Sequence, residues 1–290
     1  MHAAATDAPS SSLSAPLRTL LRSLGQIVLQ PNAVTGACMI GAWLLSEPRL
    51  VCAALLGAIA ANISAMLAGS ADADLRAGLL GFNGALAGLA AFSFIGDPAT
   101  ASAVAILAAT GTAWLLRPWS RWLRTRGLGY LSSPCLIVTW LWLPLIARGP
   151  LPTAPATAHP VDALRFVSGV LAGVAQTGFA SGAAPGVLVL LGIAAASRKH
   201  ALYALAGAGL ASAAHLWLGA GVPSFDAGLS GFNGALTALA LADAGYAAML
   251  GGIAMSVLLQ AAAMHFGWPA MTAPFVLATW SIRSLGRRIA

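Results

Sequence analysis

The chain alternates long apolar runs with short polar or charged breaks, a pattern that predicts helices. The runs are 14 to 21 residues long. A helix needs about 20 residues to cross a bilayer, so the shorter runs must be tilted or extended by their flanks. The pattern predicts ten membrane spans, five in each half of the chain. The runs cover residues 33–46, 49–69, 79–95, 99–117, 131–147, 184–197, 200–219, 229–243, 246–266 and 268–284.

The composition is that of a membrane protein. Hydrophobic residues make up 59 % of the chain and charged residues only 8 %, whereas about a quarter of the residues in a soluble domain are charged. The net charge of +7 is compatible with nucleic-acid binding. The basic residues, however, occur in short clusters between apolar runs and not along one face, which favours a role in membrane topology. The sequence therefore predicts an all-α polytopic membrane protein, with membrane lipid and no nucleic acid among its partners.

Two shorter apolar segments precede the two sets of runs. They cover residues 16–30 and 163–180, and each carries a glutamine near its end, Gln26 and Gln176, 150 positions apart. A buried amide at the end of a segment too short to span a bilayer is typical of a re-entrant half-helix that stops near the midplane. We therefore predict one re-entrant pore half-helix in each half.

The chain contains an internal repeat. The stretch GLLGFNGALAGLA at 78–90 returns as GLSGFNGALTALA at 228–240, with ten of thirteen positions identical. The offset falls from 150 to 140 between 132–140 and 272–280, which places ten extra residues in the first half, most simply in the basic linker 117–126. We predict a disordered tail at 1–15, a first repeat at 16–149, a periplasmic linker at 150–160 and a second repeat at 161–290.

The distribution of basic residues predicts how the repeats are oriented. An odd number of spans in each half inverts the second repeat relative to the first, and this arrangement puts twelve basic residues and both termini on the cytoplasmic side, as the positive-inside rule expects. Only Arg49, Arg148 and Arg165 face outward. The twelve are Arg18, Arg22, Arg76, Arg117, Arg121, Arg124, Arg126, Arg198, Lys199, Arg283, Arg287 and Arg288.

The polar residues within the runs are neutral and occur in pairs. Carboxylates map to the ends of the runs, so the intramembrane charge that coupled transporters use is missing, and passive conduction is favoured. The asparagines of the two GFNG motifs either cap helix starts or face a pore. Glycines around Phe82 and Phe232 allow close helix approach, and the two rings predict the walls of a flat slot. The neutral pairs are Gln26 and Gln176, Asn83 and Asn233, and Thr139 and Thr279.

These motifs resemble the urea transporter family. The resemblance rests on the doubled L-x-G-F-N-G-A-L, on the glutamine-bearing half-helices and on P-x-x-x-x-T-W at 134–140 and 274–280, and it extends over roughly 16–286. It implies a homotrimer in the bacterial inner membrane, with one urea channel in each protomer at the interface of two inverted five-helix repeats. It implies no cofactor and no enzymatic activity.

The resemblance also assigns candidate urea-binding residues. Phenylalanines would flank the filter, leucines would narrow it, glutamines would accept from the urea amides and threonines would line its centre. Leu29 departs from the pattern, since the family often has a second slot phenylalanine there, so the two pore mouths should differ. The assigned residues are Gln26, Ile27, Leu29, Phe82, Leu86, Thr139, Gln176, Thr177, Phe179, Phe232, Leu236 and Thr279.

Three other functions stay open at the level of sequence. The first is a channel of the same fold for another small neutral solute, such as a short amide, ammonia or water. A coupled secondary transporter is disfavoured, because it would need an intramembrane carboxylate and the carboxylates of this chain map to the ends of the runs. A membrane-embedded enzyme would need a nucleophile, an acid–base pair or a metal cluster, and the doubled residues supply none.

Overall fold

The computed structural model describes residues 14–70, 72–146 and 161–289. Within these ranges the chain is helical and contains no strand. The predicted linker 150–160 and nearly all of the predicted tail 1–15 lie outside the described residues. The first helix begins at Ser14, two residues before the predicted start of the first repeat.

Seven helices in the described part of each half follow one another in the same order. A single 3₁₀ turn, Gln26–Val28, extends the first helix. The first half holds α1 (Ser14–Gly25), α2 (Ala33–Ser46), α3 (Arg49–Leu67), α4 (Asp72–Arg76), α5 (Phe82–Phe94), α6 (Pro98–Thr125) and α7 (Ser133–Ile146). The second half holds α8 (Ala163–Gln176), α9 (Ala183–Ala196), α10 (Arg198–Trp217), α11 (Val222–Asp226), α12 (Phe232–Ala240), α13 (Tyr246–His265) and α14 (Ala273–Ile289).

The structure corrects the interpretation of 117–126 as a linker. These residues continue α6 as a helix to Thr125, through Pro118. The rings of Trp119 and Trp122 stack at 4.8 Å, and the guanidinium carbon of Arg126 lies 3.7 Å from the centre of the Trp122 ring. The buried positions of α13 match those of α6 at an offset of 140 from Ala109 onwards. The extra ten residues of the first half therefore lie before Ala109 and not within 117–126.

Three helices in the described part of the chain, α3, α6 and α13, are long and apolar enough to cross a membrane individually. A fourth crossing is possible if α1 and α2, which meet at an angle of 74°, form one broken span or a re-entrant loop. The sharp bend after α1 agrees with the predicted half-helix. Ten crossings remain a prediction, because the shorter apolar helices qualify only if they are tilted or extended by neighbouring turns.

Helices α5 and α12, which begin with the two GFNG motifs, lie at the centre of their halves. Residues 80–92 and 230–239 are buried throughout. Helix α5 packs against α3, α6 and α7, and α12 packs against α10, α13 and α14. A Cβ atom on Gly57 of α3 or on Gly207 of α10 would overlap the carbonyl oxygen of Gly84 or Gly234, respectively. Glycine at these positions lets the backbones touch, as in other small-residue membrane interfaces.

The two halves meet along α2 and α9. The Thr35 hydroxyl donates to the carbonyl oxygen of Gly192 at 2.7 Å, and the indole N–H of Trp43 donates to the carbonyl oxygen of Gly178 at 2.6 Å. Gly178 follows the end of α8, so a side chain of the first half stabilises the turn that ends the second half-helix.

Candidate functional site

Both half-helices end in the same backbone motif. After α1, the amide of Leu29 donates to the carbonyl of Gln26 at 2.9 Å and that of Gln30 donates to Gly25 at 3.1 Å. After α8, Phe179 donates to Gln176 at 3.1 Å and Ala180 donates to Ala175 at 3.3 Å. These pairs of bonds define a Schellman motif, which normally has glycine at its left-handed position. Each glutamine therefore sits at a fixed place where its helix stops.

The left-handed residues of these turns carry large side chains. Leu29 has φ of 59° and Phe179 has φ of 63°. A bulky residue with positive φ costs roughly 1–3 kcal/mol, and such strain persists where the surrounding structure requires it. In the described ranges the other positive-φ residues besides glycine are Leu131 and Met271, which precede α7 and α14 and also occupy equivalent positions. Among the described residues other than glycine, left-handed backbone therefore occurs in two turns, each of which recurs in both halves.

The asparagines of the GFNG motifs join the start of one helix to the start of another. The side chain of Asn83 donates to the Leu131 carbonyl at 3.0 Å and accepts from the Cys135 amide at 3.1 Å. Asn233 repeats both bonds with Met271 at 3.0 Å and with Phe275 at 3.2 Å. Both asparagines are buried and their bonds are satisfied, so of the two interpretations left open by the sequence the structure supports the structural one.

A pocket of about 310 Å³ opens beside the start of α12. We call it the second-half pocket. Gln176, Phe179, Phe232, Gln260 and Ala270 are among its lining residues. The pocket brings together the end of α8, the start of α12 and the turn before α14. It presents four aromatic rings, including those of Phe94 and Trp268, and two amides to a space large enough for a small solute.

The corresponding region of the first half is filled differently. The ring of Tyr130 stacks on Phe82, with centroids 5.8 Å apart and planes at 25°. The Tyr130 hydroxyl donates to the Leu79 carbonyl at 3.1 Å. Behind this ring lies a separate pocket of about 270 Å³, the arginine pocket, whose lining includes Arg117, Arg121 and Arg124.

The halves also make reciprocal contacts around α7 and α14. The indole of Trp140 donates to the Pro269 carbonyl at 2.8 Å, and that of Trp280 donates to the Gly129 carbonyl at 2.7 Å. The donors are equivalent positions at an offset of 140, and so are the acceptors. Each half thus donates an indole N–H to the same carbonyl position of the other half. Such a reciprocal pair of contacts is the pattern of an isologous interface.

Charged groups stay at the periphery. Among the side chains that the structure describes, no Asp, Glu, Lys or Arg is buried. Lys199 pairs with Asp243 at 3.0 Å, and this hydrogen bond keeps the pKa of the Asp243 carboxyl below its usual value. Arg165 pairs with Asp226 at 2.6 Å. The interior polar groups of this part of the chain are therefore amides, hydroxyls and the imidazole of His215, whose Nδ1 lies 2.9 Å from the Ala211 carbonyl oxygen.

Comparison with known proteins agrees with this architecture. A family model described as urea transporter matches residues 17–286. The chain belongs to the urea transporter family. It is 26 % identical over 240 residues to Urea transporter 1 of Rattus norvegicus. That alignment covers 77 % of this chain and 62 % of the rat protein, so the chain spans less than two thirds of this relative.

In this member of the urea transporter family, the candidate residues fall into two buried groups. Ile27, Phe82 and Leu86 belong to one apolar cluster, against which Phe179 packs. Phe232 and Leu236 belong to another. Leu29 packs against both clusters, and each cluster contains residues of both halves.

The polar candidates differ in how far their hydrogen bonds are satisfied. The hydroxyl of Thr177 donates to the Val174 carbonyl at 2.7 Å, so a backbone partner occupies it. Thr139 is buried, and its Oγ1 lies 3.8 Å from the sulfur of Cys135. The buried Oε1 of Gln26 and Oγ1 of Thr279 have no hydrogen-bond partner among the described residues. Native proteins rarely bury such atoms unpaired, so these two are candidates for contact with a permeating solute.

Two residues at the site, Gln260 and Tyr130, were not predicted from the sequence. Gln260 donates to the Leu229 carbonyl at 2.6 Å and accepts from Asn233 at 2.9 Å, and it lines the second-half pocket. Tyr130 packs on Phe82 in the first half. The prediction relied on polar residues that are identical in both halves, whereas the counterparts of Gln260 and Tyr130, at an offset of 140, are Ser120 and Ala270. The sequence does carry one signal for Gln260, because it is an amide within the apolar run 246–266.

Proposed function

We propose that this protein conducts urea passively down its concentration gradient, through a narrow pathway between its two halves. The second-half pocket carries the proposal, because it places an amide beside two aromatic rings where a half-helix ends. The family and the printed name of the rat relative support urea as the solute.

The proposed architecture is two inverted repeats of five spans, each with a re-entrant half-helix, α1 or α8. The reciprocal Trp140 and Trp280 bonds support a two-fold relation between the halves. The excess of twelve basic residues over three supports ten crossings with both termini in the cytoplasm. Short helices such as α12 would then cross with the help of their flanking turns.

The chemistry of urea matches the neutral polar groups of the site. Urea is planar and uncharged, with one carbonyl acceptor and four N–H donors, and it must lose water to enter a narrow pore. The side-chain oxygens of Gln26 and Gln176 would accept its N–H groups, and the negative ends of the half-helix dipoles would strengthen these bonds. The hydroxyls of Thr139 and Thr279 would either donate or accept near the centre.

The apolar candidates would set the shape of the pathway. Phe82 and Phe232 would contact the faces of the solute, because aromatic rings favour flat partners and exclude bulky ones. Leu86 and Leu236, one turn further along α5 and α12, would narrow the passage. Ions would fail to pass, since no buried charge among the described side chains offsets their desolvation, which costs several kcal/mol.

We further propose a homotrimer in the bacterial inner membrane, with one pathway in each protomer and lipid around it. Large apolar side chains are exposed along several helices, as a membrane-facing surface requires. They include Leu107 at 72 %, Leu141 at 71 % and Leu202 at 67 % exposure. The trimer rests on the family resemblance.

Stopped-flow light scattering with purified protein in liposomes tests the proposal. The protein should accelerate urea equilibration above that of empty liposomes, without a proton or sodium gradient, and should pass formamide and thiourea more readily than glycerol. Liposomes containing the Gln26→Leu/Gln176→Leu double variant serve as the control for a non-specific leak. Urea flux equal to that of empty liposomes would reject the proposal.

Two other functions are outcomes of the same experiment. Faster passage of ammonia or water than of urea, with urea excluded, would indicate a channel for another small neutral solute. Flux that requires an imposed proton or sodium gradient would indicate a coupled transporter instead.

A further inference from the structure

The two halves differ at one position beside their central phenylalanines. Tyr130 and Ala270 are equivalent, since they lie 140 positions apart and each directly precedes the strained residue of its half, Leu131 or Met271. Each also directly follows the residue whose carbonyl accepts the indole hydrogen bond, Gly129 or Pro269. In the first half this position bears an aromatic ring, and in the second half only a methyl group. The difference lies next to Phe82 in one half and next to Phe232 in the other.

In the second half, the small side chain leaves space. Ala270 lines the second-half pocket together with Phe232, and Gln260 from α13 donates to the carbonyl of Leu229. The turn before α12 is therefore stabilised from a neighbouring helix, and the space beside the Phe232 ring stays open.

In the first half, Tyr130 takes over both the space and the hydrogen bond. Its hydroxyl donates to Leu79, the counterpart of Leu229, and its ring packs against Phe82. The arginine pocket and the second-half pocket share six equivalent lining positions, one pair of which is Tyr130 and Ala270. The ring thus occupies the volume that in the second half belongs to the solute pocket. The arginine pocket, which Tyr130 also lines, is the part of this volume that the ring leaves open.

We infer that Tyr130 is a specificity-determining residue of the first mouth, by which we mean the entrance beside Leu79, Phe82 and Tyr130. The inference rests on the proposed urea channel. The phenol ring narrows the first mouth to a flat opening, so that this entrance rejects N-alkylated ureas that the wider second-half pocket admits. The two entrances act in series, and the first sets the size limit for permeation.

The experiment compares urea with 1,3-dimethylurea in liposomes that contain wild type, Tyr130→Ala, Tyr130→Phe or the transplant Tyr130→Ala/Ala270→Tyr. We expect Tyr130→Ala to raise the ratio of dimethylurea flux to urea flux about tenfold, the order of discrimination that an added methyl group gives in a tight pocket. Tyr130→Phe keeps the ring and should keep the wild-type ratio. The transplant should return the ratio towards wild type, because the ring then narrows the other entrance.

A purely structural role for Tyr130, through its bond to Leu79, predicts another result. Tyr130→Phe would then lower the melting temperature as much as Tyr130→Ala, and the flux ratio would stay at the wild-type value in every variant that conducts urea. That pattern would overturn the inference. If Tyr130→Ala does not fold, Tyr130→Trp replaces it, with an expected fall in the dimethylurea-to-urea ratio, and an unchanged ratio again overturns the inference.

Failure of the inference and failure of the proposed function are distinguishable. Wild-type protein that does not conduct urea contradicts the channel itself. Wild-type urea flux together with an unchanged ratio in the variants contradicts only the role of Tyr130.

Discussion

The hydroxyl oxygens of Ser132 and Thr272 lie 2.8 Å apart and share a hydrogen bond, although 140 residues separate them. They hold the same position in the two halves, immediately before α7 and α14. Equivalent residues touch each other close to the axis of a two-fold relation, so this bond supports the two-fold relation proposed for the repeats. The contact joins the turns before α7 and α14, where Asn83 and Asn233 bind the carbonyls of the neighbouring Leu131 and Met271.

Truncation of Phe232 should loosen solute selection. Phe232→Ala removes a ring from the second-half pocket and should raise glycerol flux relative to urea flux, because the wall that excludes non-planar solutes is lost. Stopped-flow measurements of both solutes check this. Phe266→Ala, at an aromatic residue that is 62 % exposed, is the matched control and should leave the ratio unchanged. An unchanged ratio in Phe232→Ala would remove this ring from the pathway.

Loss of the half-helix amide should slow urea without unfolding the protein. Gln176→Leu removes an acceptor that faces the second-half pocket and should lower urea flux several-fold, while the melting temperature stays near wild type. Gln260→Leu is the contrasting variant, because it breaks bonds to Asn233 and Leu229 and should cost about 1–3 kcal/mol of stability. Wild-type flux in Gln176→Leu would exclude that glutamine as a pore acceptor.

The buried asparagines should matter for stability. Asn83→Ala leaves the Leu131 carbonyl and the Cys135 amide without their partner and should destabilise the protein by about 1–3 kcal/mol. Thermal unfolding in detergent measures the effect. Asn62→Ala should cost less, since the buried Oδ1 of Asn62 has no partner among the described residues. Equal losses in the two variants would mean that the asparagine bridge contributes little.

The contact between α3 and α5 should tolerate no side chain. Gly57→Ala places a Cβ atom on the Gly84 carbonyl oxygen and should destabilise the protein by about 1–3 kcal/mol or more, since the two backbones must separate. Gly96→Ala meets no atom within 4 Å and should be close to neutral. Thermal unfolding of both variants decides the question, and a neutral Gly57→Ala would show that the backbones can separate at little cost.

Urea flux should not respond to a proton gradient. The described interior holds no buried carboxylate, lysine or arginine, so no such group there can bind and release a coupling proton. Initial urea flux measured with equal and with unequal pH across the liposome membrane should agree. Accumulation of urea against its own gradient would contradict passive conduction.

Periodicity and the internal repeat predicted most of the helices. Helix α2 covers residues 33–46 as predicted, and α13 differs from its predicted run by one residue. Apolar runs of this length have few alternatives to a helix in a membrane, because the backbone must satisfy its own hydrogen bonds. The short helices α4 and α11 were missed, since five polar and apolar residues in a turn carry no distinct period.

The sequence by itself determined the class of molecule, the doubling, the family and the pairs of residues at which the repeats agree. Only the tertiary structure decided what those residues touch: that Asn83 and Asn233 fix helix starts, that 117–126 extends α6, and that Tyr130 covers Phe82. The reason is that apolar periodicity acts locally along the chain. A contact between residues 48 or 140 positions apart depends on how closely whole helices approach, and no single segment encodes that.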